Sequence, residues 1–310
     1  MPRIPLRRAA LLCAAALAAV SAGAAEVGST VTIIEGGATI VSGSGGYLPV
    51  PGLRLRACDI VQTGPQGLVQ IELDDGGRIE LGPDSRMVFN LPLAGEPVVG
   101  PHFLMSGWAK LSVPAREKAA PYRLHTPQFD LLADAGVTVL RVAQDEGELF
   151  VEQGGVVALV PTSSAPARVP VASGRNFARK SGGERGAVAD GVKPAFVQGM
   201  PRAFRDTLPA LLPQFKGRDV KAKAAPEFNW PAVESWVKSE PELRGCFVDA
   251  TVRTAQEALE RQGLPVGPID GILGPRTAAA LRDFQQRSGL AASGQLDAAT
   301  LRALQAPERR

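Results

Sequence analysis

Between Val31 and Val160 apolar residues recur at every second position, and this period confines that half of the chain to β structure. The segment "LVQIELDDGGRIEL" carries the pattern most plainly. Val69, Ile71 and Leu73 alternate with Gln70 and Glu72, "DDGG" reverses the chain, and Ile79 and Leu81 resume the alternation. A period of two sends successive side chains to opposite faces, so the stretch reads as a hairpin with one buried face. Similar short runs follow at "RMVFN", "FLMSGWAKLSV", "YRLHT", "FDLLA", "VTVLRVA", "GELFVEQ" and "GVVALV", each bounded by Gly, Pro or Asp. So many short strands at close spacing predict an all-β domain over residues 26–160, an antiparallel sandwich or jelly-roll-like fold.

The C-terminal residues 246–307 follow a helical period instead. Val248, Val252, Ala255 and Leu259 share one face before Gly263, and Thr277, Leu281 and Phe284 share another before Gly289. Leu301 and Leu304 follow Asp297, a good N-cap. A small all-α domain of three helices is expected, so the chain reads as multidomain, all-β plus all-α. Between the two, residues 161–245 hold little sustained periodicity, and ten prolines fall between 161 and 246. A Pro-rich linker with short helices fits, with helical turns at "RAFRDTLPALL" and "WPAVESWVKS". Phe204, Trp230 and Trp236 are expected to pack back on a neighbouring domain, an exposed protein-binding motif being the alternative.

Residues 1–24 read as a secretory signal peptide. Arg3, Arg7 and Arg8 precede the apolar run 9–20, and small residues follow, with cleavage expected after Ala24 or Ala25. The run is shorter than the ~20 residues needed to span a bilayer. Cys13 follows Leu12 in mid-run, so lipidation is not expected. The chain has 34 Lys and Arg against 31 Asp and Glu; three of the basic residues lie in this segment, and without them 31 face 31. A neutral mature chain gives nucleic-acid binding no compositional support, and a periplasmic location is expected. Cys58 and Cys246 then remain. A buried thiol at each is the preferred reading, and a single bridge between them in an oxidising compartment stays open.

The loop "DGILGPRT" (270–277) invites three readings. A calcium site needs six or more oxygens and the loop supplies Asp270 alone. A phosphate loop would end in Gly-Lys-Ser/Thr. What remains is a helix start: Gly271 at positive φ, Gly274 at the N-cap, Pro275 at the first helical position, and Asp270 accepting backbone N–H groups.

A specific resemblance rests on this region. The order Gln256-x-x-Leu259, Gly263, Asp270-Gly271-x-x-Gly274-x-x-Thr277, Ala280-Leu281-x-x-Phe284-Gln285, Gly289-Leu290, Ser293-Gly294-x-Leu296-Asp297-x-x-Thr300 resembles the peptidoglycan-binding domain found beside many bacterial cell-wall hydrolases. The resemblance implies a non-catalytic three-helix module that holds its host on murein. Its glycines would be turns and its leucines core. Asp270, Arg276, Thr277, Gln285 and Asp297 are the candidate contacts to glycan or stem peptide. A looser resemblance covers "LRLRACDIVQTGPQGLVQIELDDGGRIELGPDS", which is similar to the periplasmic domain of the FecR family at Asp59, Thr63-Gly64, Gly67, Asp75-Gly76 and Gly82-Pro83-Asp84-Ser85, with a later Thr126-Pro127. Cys58 stands where that family usually has glycine. Signalling members carry a transmembrane helix and a cytoplasmic sigma-factor-binding segment, neither of which is expected here. The resemblance therefore points to fold and compartment more than to regulation.

Catalytic patterns do not assemble. His102 and His125 lack zinc spacing and read as structural histidines. Cys246 in "RGCFV" has no neighbouring His-Gly, and Ser235 and Lys238 of "SWVK" lack the Lys-Thr-Gly that would complete a penicillin-binding site. Asp145 and Glu146 are adjacent on an expected loop, with nothing to oppose them across a sugar. No metal or cofactor is expected. The chain reads as an exported, non-catalytic envelope protein with peptidoglycan as partner and a β domain serving as scaffold or sensor, which could also meet an envelope or inner-membrane protein. The alternatives are a wall-active enzyme with an unrecognised site in the β domain, and a signalling regulator acting on a membrane partner.

Overall fold

The computed structural model describes residues 27–43, 45–92, 98–117, 119–183, 185–226 and 229–305. The expected signal peptide, with Cys13, lies outside them. Sixteen strands among the described residues hydrogen-bond into one sheet, antiparallel except where Tyr122–His125 runs parallel to the start of Val99–Val113. That long strand joins the layers. Near its start it also pairs with Arg86–Val88, and near its end it lies between Arg78–Leu81 and Asp130–Val142. The sheet thereby closes over a core that includes Val31, Ile71, Leu111, Tyr122, Leu140 and Leu149. Phe129 and Phe177 meet edge-on within it, ring centres 5.0 Å apart.

Two expected pairs of short strands are fused. "FDLLA" and "VTVLRVA" form the single strand Asp130–Val142, and "GELFVEQ" and "GVVALV" form Glu146–Val160. Gly136 faces Gly154 across this pair, and both have positive φ, 119° and 78°. A Cβ at Gly136 would collide with the Gln153 carbonyl, so the glycines bend the paired strands without ending them.

The stretch 161–245, expected as a linker, departs further from expectation. It supplies the strands Ala167–Ala172, Arg175–Lys180 and Ala187–Asp190, which extend the sheet, and Lys223–Ala224, which pairs with Gly45–Leu48. Alternation is absent from Ala167–Ala172 because Val171 is the one fully buried residue of that strand. Helix α1 (Pro194–Gly199) and the turn Arg202–Arg205 then cross the outside of the sheet, where Phe196 and Phe204 bury themselves against Leu68 and Val139. This strap changes the hairpin read from "LVQIEL": all six residues of Leu68–Leu73 are buried, not one face alone. Gln70 Nε2 donates to Pro209 O at 2.9 Å, and Glu72 accepts from Leu211 N at 2.7 Å and Leu212 N at 3.2 Å. The polar face of the hairpin is thus sealed by chain that arrives about 140 residues later, which gives Gln70 Nε2 and the Glu72 carboxylate their partners but leaves Gln70 Oε1 without one.

The helical part begins with α2 (Trp230–Ser239), capped by Asn229, and α3 (Arg244–Phe247). Three helices follow: α4 (Ala250–Arg261), α5 (Pro275–Arg287) and α6 (Ala298–Gln305). Leu259, Leu281, Phe284 and Leu304 meet in their core. Val248, expected on the first helical face, instead precedes α4 and forms a β-bridge with Ile272, with Asp249 as N-cap. A second apolar cluster welds this part to the sheet: Ile60, Val88 and Phe103 pack against Trp230, Val237, Phe247 and Ile272. The Arg86 guanidinium stacks over Trp236, 3.7 Å from the ring centre. Phe204, Trp230 and Trp236 therefore pack inward, as expected. Cys58 and Cys246 do not remain thiols. They form a disulfide across 188 residues, Cα atoms 5.4 Å apart, because the same packing lays α3 against the turn that carries Cys58.

Candidate functional site

The loop 270–277 has the geometry of a helix start. Gly271 has φ +78°, and a Cβ there would stand 2.9 Å from Asp249 O, so a side chain is excluded by both backbone strain and contact. Gly274 is the N-cap of α5, Pro275 opens the helix, and Asp270 Oδ1 accepts from Ile272 N at 2.9 Å. The organiser is Gln256, reaching from α4. Its Oε1 accepts from Gly271 N at 2.8 Å, while Nε2 lies within donor distance of Thr277 Oγ1, Pro268 O and Asp270 Oδ1.

The same device recurs before α6. Gln285 Oε1 accepts from Gly294 N at 2.8 Å, and its Nε2 donates to Thr300 Oγ1 and Gln295 O, each at 2.9 Å. Gly294 again has positive φ, and Asp297 Oδ1 accepts from Thr300 N at 2.8 Å. That backbone hydrogen bond holds the Asp297 carboxyl below the usual range. Each half of the domain is thus a helix-borne glutamine threaded into a glycine turn and tied to a threonine in the next helix.

This arrangement sorts the five candidate contacts. Thr277 and Gln285 are 2% and 0% exposed and their polar groups are spent inside the fold. Asp297 is exposed but caps α6, and Arg276 is exposed on the first turn of α5. Asp270, Arg276 and Thr277 come together around a cavity of about 320 Å³, whereas Gln285 and Asp297 belong to the second loop. The cavity has a wall that local patterns did not reveal: Trp230 and Glu234 of α2 stand across from Arg276, and the Trp230 indole lies against Gly274.

Of the side chains weighed above for catalysis, His102, His125 and Lys238 are each held by neighbours within the fold. His102 is buried beside Phe89, its Nδ1 accepts from Asn90 N at 3.2 Å, and burial pushes its pKa down to about 3. His125 Nδ1 pairs with Asp130 at 2.9 Å. Burial alone would raise the Asp130 pKa, but hydrogen bonds from His125 and Arg123 outweigh it and lower it. Lys238 Nζ is held by Glu234 at 2.9 Å on α2. Among the described residues no group of three or more His, Cys, Asp and Glu could hold a metal, and no helix is long and apolar enough to cross a membrane.

Comparison with known proteins gives two partial matches. Residues 248–304 match the family described as "Putative peptidoglycan binding domain", and residues 59–157 match the family described as "FecR protein". No curated protein matches the chain. Two solved structures, each described as a "putative anti-sigma factor" from Parabacteroides distasonis, are similar in part. They share 16% and 14% identity with TM-scores of 0.37 and 0.36, and the matches cover 45% and 43% of this chain. The chain spans 64% and 59% of those two proteins, less than two thirds of either. The protein joins a FecR-type domain, set within its β region, to a domain of the peptidoglycan-binding family formed by α4, α5 and α6.

Proposed function

We propose that this is an exported, periplasmic envelope protein that holds peptidoglycan through residues 248–304 and presents its FecR-type region as a scaffold or sensor, without catalysing a reaction. The family match at 248–304 carries this reading. Both loops that the family pattern requires are built, and the second apolar cluster and the disulfide fix the module to the sheet. Arg276 is the contact of choice, since an exposed guanidinium can take a stem-peptide carboxylate with two parallel hydrogen bonds. Asp270 lines the same cavity with acceptor oxygens, Asp297 stands apart on the second loop, and Thr277 and Gln285 serve by holding the loops.

Co-sedimentation of the oxidised full chain with purified murein tests the proposal. The wild type should pellet with murein and Arg276→Ala should pellet less while melting at the same temperature. A chain that stays in the supernatant would end the tether reading, and release of soluble muropeptides would end the non-catalytic one. Point substitution is preferable to truncation because Ile272 belongs to the cluster that joins the domains. A second reading, a regulator acting on a membrane partner, draws on the FecR match at 59–157. Crosslinking in cells to an inner-membrane protein, abolished by changes on the sheet alone, is its test.

A further inference from the structure

A second cleft lies outside the helical domain, between the sheet and residues 218–222. Its volume is about 790 Å³, inside the range of about 300–1,000 Å³ typical of small-ligand sites. Ile40, Leu53 and Leu55 supply apolar lining. Two polar side chains stand among them, Asp59 and Asn90, only 5% and 7% exposed. Asn90 holds a left-handed backbone at φ 50°, and its Oδ1 has no hydrogen-bond partner. A buried acceptor left unpaired is costly, and because this oxygen is closed to solvent, only a turn of the Asn90 side chain toward the cleft would give it a partner there. Asp59 accepts from Arg56 N at 2.8 Å, and burial raises its pKa against the pull of Ser42 and Arg56.

The mouth has the opposite character. Arg56, Arg218 and Lys221 are exposed there, and none of the three forms a salt bridge among the described residues. Arg54 is already held by Asp74 at 2.7 Å, which leaves Asp219 as the one exposed carboxylate at the mouth not so engaged. Cations outside and hydrogen-bonding groups within select against two common ligand classes. A neutral sugar would leave the cations unused, and a phosphate seated deeply would meet the Asp59 carboxylate. A peptide end carries a carboxylate and N–H donors together. The turn bearing Arg56 and Asp59 is pinned at Cys58 by the disulfide, so those groups are organised before any ligand arrives.

We propose that this cleft binds a short peptide with a free carboxylate, received by Arg56, Arg218 and Lys221 at the mouth, while the peptide backbone hydrogen-bonds to Asp59 within and to the Asn90 amide once that side chain turns toward the cleft. The site is independent of whatever residues 248–304 hold. Calorimetric titration of the oxidised full chain with the tetrapeptide alanyl-glutamyl-lysyl-alanine, its fully amidated form and N-acetylglucosamine tests it. The free tetrapeptide should bind, and its affinity should fall as salt rises. The amidated form should bind about tenfold more weakly or worse, and so should the free peptide to Arg56→Ala/Lys221→Ala, whose exposed positions leave the fold intact. Asn90→Gly, which keeps the left-handed backbone, should also weaken binding. Equal affinity for both peptide forms, preference for the sugar, or no heat from the tetrapeptide at millimolar concentration with folded protein would each overturn the proposal.

Discussion

Replacing Cys246 by serine removes a crosslink between residues 188 apart and leaves the apolar contact beside it in place. The size of the effect follows from the length of the closed loop. Opening a loop of that length returns about 18 cal/mol/K of chain entropy to the unfolded state, or about 5 kcal/mol at 25 °C. The native state should change little, because Ile60, Phe103, Trp230 and Phe247 still meet and Arg86 still stacks on Trp236. The loss should therefore appear through the unfolded chain. Guanidinium unfolding followed by tryptophan fluorescence reports it directly, since Trp230 and Trp236 sit on the sheet–helix boundary. Cys246→Ser should unfold at lower denaturant, with a steeper dependence because its unfolded state is less compact. If the variant falls short of the wild type by less than about 1 kcal/mol while thiol titration shows the wild type oxidised, the bridge is not a clamp and the entropic reasoning fails.

Three further outcomes are expected. Gly271→Val forces a β-branched residue to φ +78° beside Asp249 O and should destabilise the helical domain by ~1–3 kcal/mol, whereas an unchanged melting temperature would mean the loop relaxes freely. Gln285→Ala leaves Gly294 N buried without its acceptor, at a cost of ~1–3 kcal/mol; lost murein binding with unaltered stability would instead make Gln285 a ligand contact. His102 binds a proton near pH 6.5 when unfolded but only near pH 3 when folded, so the stability it contributes is complete above the first value and drains away as pH falls toward the second. The unfolding free energy from urea titrations between pH 6.5 and 5 should decline by up to ~1.4 kcal/mol per pH unit more in the wild type than in His102→Asn, and parallel curves would contradict this.

What local sequence made legible were the features that local chemistry enforces. Gly271, Gly274 and Pro275 dictate a helix start within a few bonds of themselves, and the alternation at Val69, Ile71 and Leu73 needs only a neighbouring strand. The same holds for Asp297, whose cap reaches three residues ahead. Features created by distant partners escaped. Gln70 and Glu72 read as solvent-facing because their cover, residues 209–212, comes so much later in the chain. Ala167–Ala172 offered no alternation because its strand is mostly exposed, and Pro170 gave it the look of a linker. Gln285 was legible as a motif residue but not as a buried brace, since polarity alone does not distinguish a ligand contact from an internal one. The disulfide needed knowledge of which surface α3 would rest on.

The disulfide also sets how tension would run through the molecule. A pull on α5 or α6 travels back along the chain to Cys246 and there meets a covalent junction to Cys58. Force then enters the sheet at the turn before Ile60–Thr63, a strand held on both sides by Ala38–Ser42 and Arg86–Val88. The strap across Phe196 and Phe204 and the edge strands up to Asp190 lie on the slack branch, shielded from stretching for as long as the bridge stays oxidised. Reduction would leave the same pull to the apolar contacts of α2 and, beyond them, to residues 192–226, where the edge pairing at Lys223–Ala224 is thin. A single sulfur–sulfur bond thus decides whether the protein behaves under load as a short stiff link or as a long extensible one.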